Sequence, residues 1–161
     1  MNLSPFAVLT SLAALAAAAA SGMMYVFSTF VMRGLDRTGP VEAITAMRGI
    51  NVVANSNPPF LLAYFGATIL AVAVGVMAVI RIGQPGSGWV LAGAIVGVLA
   101  AIITMVFNVP LNNHLDTVDL SVADAAREWQ AYLSTWTAWN HVRAAASIIA
   151  GALMLVGLQY R

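Results

Sequence analysis

"FLLAYFGATILAVAVGVMAVI" (residues 60–80) runs into "RIGQPGSG" (81–88) and then into "WVLAGAIVGVLAAIITMVFNV" (89–109). Each apolar run has 21 residues and no charge. At 1.5 Å per residue, a helix of that length rises about 31 Å, close to the thickness of a bilayer's hydrocarbon core. In lipid a helix satisfies its own backbone hydrogen bonds and an open sheet does not. The segment between the runs holds Gly83, Pro85, Gly86 and Gly88, which suits only a tight turn. The stretch therefore reads as an antiparallel pair of membrane-crossing helices.

Two further uncharged runs flank this hairpin. Residues 6–32 form one of 27 residues, and residues 144–160 form one of 17 that lengthens if Arg143 lies at the interface. The expectation is an all-α, integral membrane four-helix bundle, a single membrane domain over 1–161 with spans near 6–32, 60–80, 89–109 and 140–160. Two long connections, 33–59 and 110–140, read as partly helical. Four spans put both on one membrane face, with the short turn and the termini on the other. The small residues "AAAAAS" (16–21) resemble a signal-peptide cleavage site. However, "MNLSP" has no Lys or Arg and the apolar run is too long for a signal, so a retained helix is expected.

Composition agrees. Of 161 residues, 61% are hydrophobic and 8% are charged, against about 25% charged in a soluble domain. A net charge of +1 with no basic run gives no support for a nucleic-acid partner. There is no Cys, which excludes disulfides, thiolate metal sites and Cys nucleophiles. No dinucleotide fingerprint or P-loop occurs. The partners expected are the lipid bilayer and a small lipophilic molecule. Gly93 and Gly97 form a G-x-x-x-G pair that serves tight contacts inside the bundle or, alternatively, a homo-oligomer.

Orientation is ambiguous by charge. Arg81 and Arg161 mark the short-turn face. Arg33, Arg37, Arg48, Arg127, Arg143 and all six acids lie on the other. Counted literally, cations place the long connections inside.

Polar residues gather where the spans end. In "FNVPLNNHL" (107–115), Asn108 and Asn112 are four apart and share a face of a continuous helix. Pro110 between them has no N–H, so it either ends the third helix or leaves the Val106 carbonyl free. Asn amides can satisfy such groups, or hold a ligand. In "WTAWNHVR" (136–143), Trp136, Asn140 and Arg143 share a face with Ser147, while Trp139 and His141 point elsewhere. An arginine at a span's mouth snorkels to the headgroups, pairs with an acid, or faces a polar cavity. Met47, Asn51 and Asn55 share a face in the first long connection, and Tyr25, Thr29 and Met32 form a stripe on the first helix. The topology brings Tyr25, Asn51, Asn55, Asn108, Asn112, Trp136, Asn140, Arg143, His114 and His141 to one end. His114 and His141 are the only histidines, with no metal-binding spacing. No metal and no cofactor is expected, a protein-bound metal or haem being the alternative.

"FSTFVM", "MRGINVVANSNPPF", "NVPLNNHL" and "WTAWNHVRAAAS" resemble the small four-span membrane family that includes the anthrone oxygenases, most of whose members have no assigned function. The resemblance runs from about residue 22 to 155. It implies an oxidoreductase that inserts oxygen from O2 at the activated methylene of a planar phenolic, the substrate carbanion supplying electrons without a cofactor. It implies Asn51, Asn108, Asn112, Trp136, Asn140 and Arg143 as site residues. On that reading Arg143 and the amides stabilise an enolate, His114 or His141 takes a proton, and Trp136 and Tyr25 stack on the ring, with Asn55 nearby. A basic turn between the second and third helices is a family habit, and Arg81 is its remnant. That favours N-in and C-in in the plasma membrane. The rival readings are a non-catalytic membrane binding protein and a small transporter. The transporter has no intramembrane acid to relay protons.

Overall fold

The computed structural model describes residues 4–160, the side chains of residues 122 and 123 apart. Arg161, one of the two short-turn cations, lies outside them. There are five helices and, among the described residues, no strand: α1 (Pro5–Asp36), α2 (Pro40–Asn55), α3 (Pro58–Ile80), α4 (Ser87–Thr117) and α5 (Val122–Gln159). Local chemistry fixes their starts. Ser4 accepts from the Ala7 amide at 3.3 Å ahead of Pro5, and Asn57 accepts from the Phe60 amide at 3.0 Å ahead of Pro58. α2 and α4 follow Gly39 and Gly86, at φ 99° and 79°, where other residues are strained.

α1, α3, α4 and most of α5 are long and apolar enough to cross a membrane. They close a ring in which α1 and α4 each touch both α3 and α5. Lipid is as apolar as the side chains, so close van der Waals approach rather than burial from water must hold such a ring. Small residues allow it. A Cβ on Gly93 would come within 2.7 Å of the Ala150 carbonyl oxygen, and one on Gly151 within 3.0 Å of the Ala14 carbonyl oxygen. Gly97 sits against Ala71 and Ala150. Both glycines of the G-x-x-x-G pair are thus used inside the chain, against α5.

Both long connections are helical, as expected: α2 fills most of 33–59, and 110–140 is more helical still. α4 runs on to Thr117, α5 starts at Val122, and only residues 118–121 lie between. Residues 122–140 contain neither Pro nor Gly, so nothing stops the helix. Pro110 does not end α4 either. A π-helical turn at Thr104–Asn108 precedes it, with the Val109 amide bonded back to the Thr104 carbonyl. The irregular turn comes where the proline removes a donor. A 36-residue helix such as Asp124–Gln159 is about 54 Å long, well beyond a hydrocarbon core. The ends of α1, α4 and α5 therefore stand clear of the bilayer, packed on α2 around Ile44, Met47, Leu115 and Trp129. Arg48 clamps this cap. Its Nε and Nη2 donate to the Leu115 carbonyl at 3.0 and 2.7 Å, and Nη2 donates to the Val118 carbonyl at 2.6 Å, closing the end of α4.

The stripe Tyr25–Thr29–Met32 is corrected. A second π-helical turn, Phe27–Val31, inserts one residue into α1, which rotates the remainder of the helix by about 100°. Met32 is buried, whereas Tyr25 is 63% exposed and faces away from the bundle.

If glycine contacts set the ring, Gly93→Val will lower the unfolding midpoint in detergent, by the equivalent of about 1–3 kcal/mol of overpacking. Gly88→Ala, whose Cβ meets nothing within 4 Å, will leave it within a degree or two.

Candidate functional site

α5 carries three polar or aromatic side chains inward in sequence: Trp136, Asn140 and Arg143, at 3%, 0% and 6% exposure. Their spacing puts them on one helical face, and that face meets the two π-helical turns. Asn140 Nδ2 donates to the Met24 carbonyl and to Ser28 Oγ, both at 2.7 Å. Ser28 lies within the α1 π-turn. Asn140 Oδ1 then accepts from Arg143 Nε at 2.9 Å. On the other side Arg143 Nη1 donates to Thr104 Oγ1 at 3.3 Å, at the start of the α4 π-turn. The guanidinium also lies 5.1 Å from the Trp136 ring centroid.

Proton bookkeeping fixes the roles around Thr104. Its single hydroxyl hydrogen goes to the Ala100 carbonyl at 3.0 Å. Tyr64 OH, in contact with Thr104 Oγ1, must therefore donate, as Arg143 does. Arg143 has no carboxylate within ion-pair distance among the described residues. Its charge is met by amide and hydroxyl dipoles and one aromatic face. The guanidinium also has the Tyr64 hydroxyl as a hydrogen-bond partner, and the side chain lines a cavity of about 120 Å³.

That cavity lies between α1, α2, α3, α4 and α5. Phe27, Met47, Phe60 and Trp136 give it an apolar wall, and Asn51, Asn112, Tyr64, Thr104 and Arg143 supply polar atoms. Asn51 is buried and its Nδ2 has no partner. Asn112 Oδ1 is fully used, accepting from Tyr132 OH at 2.9 Å and Trp136 Nε1 at 2.8 Å. The free hydrogen-bonding capacity at Asn51 Nδ2 is donor capacity, and with the positive charge of Arg143 beside it this suits an anionic or carbonyl oxygen. Phe27, Ile50, Ala54 and Phe60 also border an adjoining open groove of about 630 Å³.

The sequence-derived candidates divide. Asn51, Asn55, Asn112, Trp136 and Arg143 line the cavity. Asn140 and Asn108 stand behind it. Asn108 Nδ2 donates to the Trp136 carbonyl at 3.1 Å while its Oδ1 is buried without a partner. Tyr25, His114 and His141 are not brought to it. His114 Nε2 is 3.0 Å from Glu128 Oε2 on an exposed surface, and His141 is exposed. Tyr64, Thr104, Ser28 and the Met24 carbonyl escape a sequence reading because each is embedded in an apolar run. Ser28 within "FSTFVM" is the one visible signal. Among the described residues no three His, Asp or Glu side chains gather as metal ligands.

Asn140→Ala will lower stability in detergent by about 1–3 kcal/mol, since it strips a buried charged group of its acceptor. The same change made in an Arg143→Met background will cost clearly less. A double-mutant cycle on unfolding midpoints measures the difference, and simple additivity would refute the coupling.

The family model described as Anthrone oxygenase matches residues 60–153. The matched stretch holds Tyr64, Thr104, Asn112, Trp136, Asn140 and Arg143 and leaves out α1 and Asn51. No curated protein and no solved structure matches the chain. With more than half its length in that match, and four helices fit to cross a membrane, the chain belongs to the anthrone oxygenase family.

Proposed function

We propose that the cavity beside Arg143 binds a planar phenolic ketone as its anion and that O2 oxygenates the activated methylene there. The observation carrying this reading is the unpartnered Asn51 Nδ2 beside the Arg143 guanidinium, which has no carboxylate partner among the described residues, in a site whose other walls are mostly apolar and aromatic. An enolate or phenolate oxygen between them would accept from the Asn51 amide and face the Arg143 charge. Donors fixed in a water-poor site before the reaction stabilise developing negative charge without reorganising.

The chemistry balances without a resident cofactor. The methylene carbon of an anthrone loses a proton to give an aromatic phenolate. That anion passes electrons to O2 and forms a C–O bond as a peroxide. Loss of water, carrying the second methylene hydrogen, leaves a carbonyl: CH2 and O2 become C=O and H2O. Neither histidine lines the cavity, and no carboxylate does. On this reading the substrate gives up its first proton before it is seated, and Arg143 favours the anion by its charge. Trp136 and Phe27, tilted at 55° with centroids 5.8 Å apart, offer ring faces and edges to a flat substrate. A cavity of about 120 Å³ is smaller than the usual ligand site of about 300–1,000 Å³. A fused-ring substrate would extend past Phe60 and Ile50 into the adjoining groove. The reading includes a plasma-membrane protein with both ends of the described chain inside and the cavity near the outer face.

Purified protein in detergent, given an anthrone, will consume O2 faster than the spontaneous background. Asn51→Ala will cut that rate at least tenfold while leaving stability nearly unchanged, because its Nδ2 has no partner to lose. Arg143→Ala will abolish it, and His141→Ala will keep it within twofold. Uptake equal to background in the wild type would reject catalysis. Ligand binding without turnover would favour a non-catalytic carrier of lipophilic phenolics.

A further inference from the structure

The opposite end of the bundle holds a second polar cavity, of about 180 Å³, that plays no part in the oxygenation chemistry. Ser4 and Phe6 border it from the start of α1, Arg81 and Gln84 from the short turn, and Ser87 from the start of α4. Two features there are unexplained by packing. Ser87 is 1% exposed and its Oγ has no hydrogen-bond partner. Arg81 Nε is buried and likewise unpartnered. Buried polar atoms are nearly always satisfied, so two orphans beside one cavity need a reason.

The surroundings favour an anion. α1 and α4 begin here and α3 and α5 end here, and of the opening amides Ser87 N–H is spent on the Gln84 carbonyl and Ala7 N–H on Ser4, so the positive character of the cavity comes from Arg81. The cap residue of α4 is Gly86, which has no side chain to cap the helix. Arg81 is the one described cation at this end. Its Nη2 is held by Gln84 Oε1, and its guanidinium lies 4.9 Å from the Phe6 ring centroid, so the side chain is fixed rather than trailing into water. Every acid of the chain (Asp36, Glu42, Asp116, Asp119, Asp124 and Glu128) belongs to the cap at the far end. A snorkelling arginine would keep all its nitrogens wet, whereas Arg81 Nε is not. The depth also fits. Trp89 and Tyr160, half exposed, mark the interfacial belt at this same end.

We propose that Arg81 Nε and Ser87 Oγ, at the start of α4, bind a phosphate group at this face, supplied by a phospholipid headgroup. The acceptor oxygens of phosphate would satisfy both orphaned groups, and a helix start is an established place for such an anion. The site is independent of the oxygenation chemistry proposed for the other end.

Native mass spectrometry of the purified protein, in detergent and phosphate-free buffer, tests this with three probes: phosphatidylglycerol, diacylglycerol with the same chains, and inorganic phosphate. One phosphatidylglycerol will bind at least tenfold more tightly than diacylglycerol, and Arg81→Gln and Ser87→Ala will each weaken it at least fivefold. Saturable binding of inorganic phosphate with the same dependence on both residues would keep the site and assign it to the free anion. Phosphatidylglycerol bound no better than diacylglycerol, with no phosphate bound, would overturn the proposal. So would wild-type affinity in both variants. Ser87→Ala deletes one unpartnered atom and will fold, so the test survives if Arg81→Gln does not.

Discussion

A guanidinium buried among helices without a carboxylate must be compensated by dipoles, and around Arg143 this requirement organises the bundle. Asn140 Oδ1, Thr104 Oγ1 and the Trp136 ring face it from α5 and α4. Asn140 can aim its oxygen at Arg143 only because its nitrogen is held by the Met24 carbonyl and Ser28 on α1. Thr104 can accept only because its own hydrogen is spent on the Ala100 carbonyl. Each neighbour is oriented by a second bond that leaves its acceptor pointing at the charge. Half-satisfied networks of this kind are costly in a low-dielectric interior, and fully connected ones specify a unique arrangement. Three of the four ring helices contribute directly, and Tyr64 joins the fourth through Thr104.

The two π-helical turns belong to the same arrangement. The Met24 carbonyl receives the Phe27 amide and uses its second lone pair for Asn140, at the edge of the turn Phe27–Val31. The turn at Thr104–Asn108 has a separate cause, the missing N–H of Pro110. Its effect is that Thr104 and Asn108 both serve α5, one receiving Arg143 and the other bonding the Trp136 carbonyl. Single inserted residues thus re-aim side chains that a regular helix would send to lipid, a recurrent use of such turns at functional sites.

Periodicity and charge set the limit of what the sequence discloses. The four spans are legible because charge is absent over lengths that match a bilayer. The inward face of α5 is legible because Trp136, Asn140, Arg143 and Ser147 keep helical spacing without interruption, and all four are buried. The error over Tyr25 has the same root. Spacing assumes a constant 100° per residue, and the π-turn between Tyr25 and Met32 breaks it. Residues 110–140 read as only partly helical because polar composition suggests loop, although a helix in water is also polar on its outer face. Tyr64 and Thr104 cannot be picked out. A hydroxyl inside an apolar span can bond its own helix, and only the meeting of α3, α4 and α5 shows that these two meet each other.

The arrangement also separates stability from ligand recognition. Atoms that hold the helices together are paired: Asn140 Nδ2 and Oδ1, Asn112 Oδ1, Arg143 Nε and Nη1. The atom with free capacity at the cavity, Asn51 Nδ2, is a donor on an element already fixed by other contacts. Asn51 rides on α2, which Arg48 and the Ile44–Met47 contacts hold to the cap. An unpaired buried donor costs about 1–3 kcal/mol, and a folded chain would shed such a residue unless something recovers the loss. On the proposed reading an oxyanion recovers it at Asn51, with the Arg143 charge alongside. Uncharged amides already hold the anion more tightly than the neutral ketone, and a full positive charge widens that difference. The single positive charge of Arg143 discriminates between the two, because its attraction grows as charge moves onto the oxygen. That is why one guanidinium without a carboxylate partner suits this site better than an ion pair, whose field would already be spent.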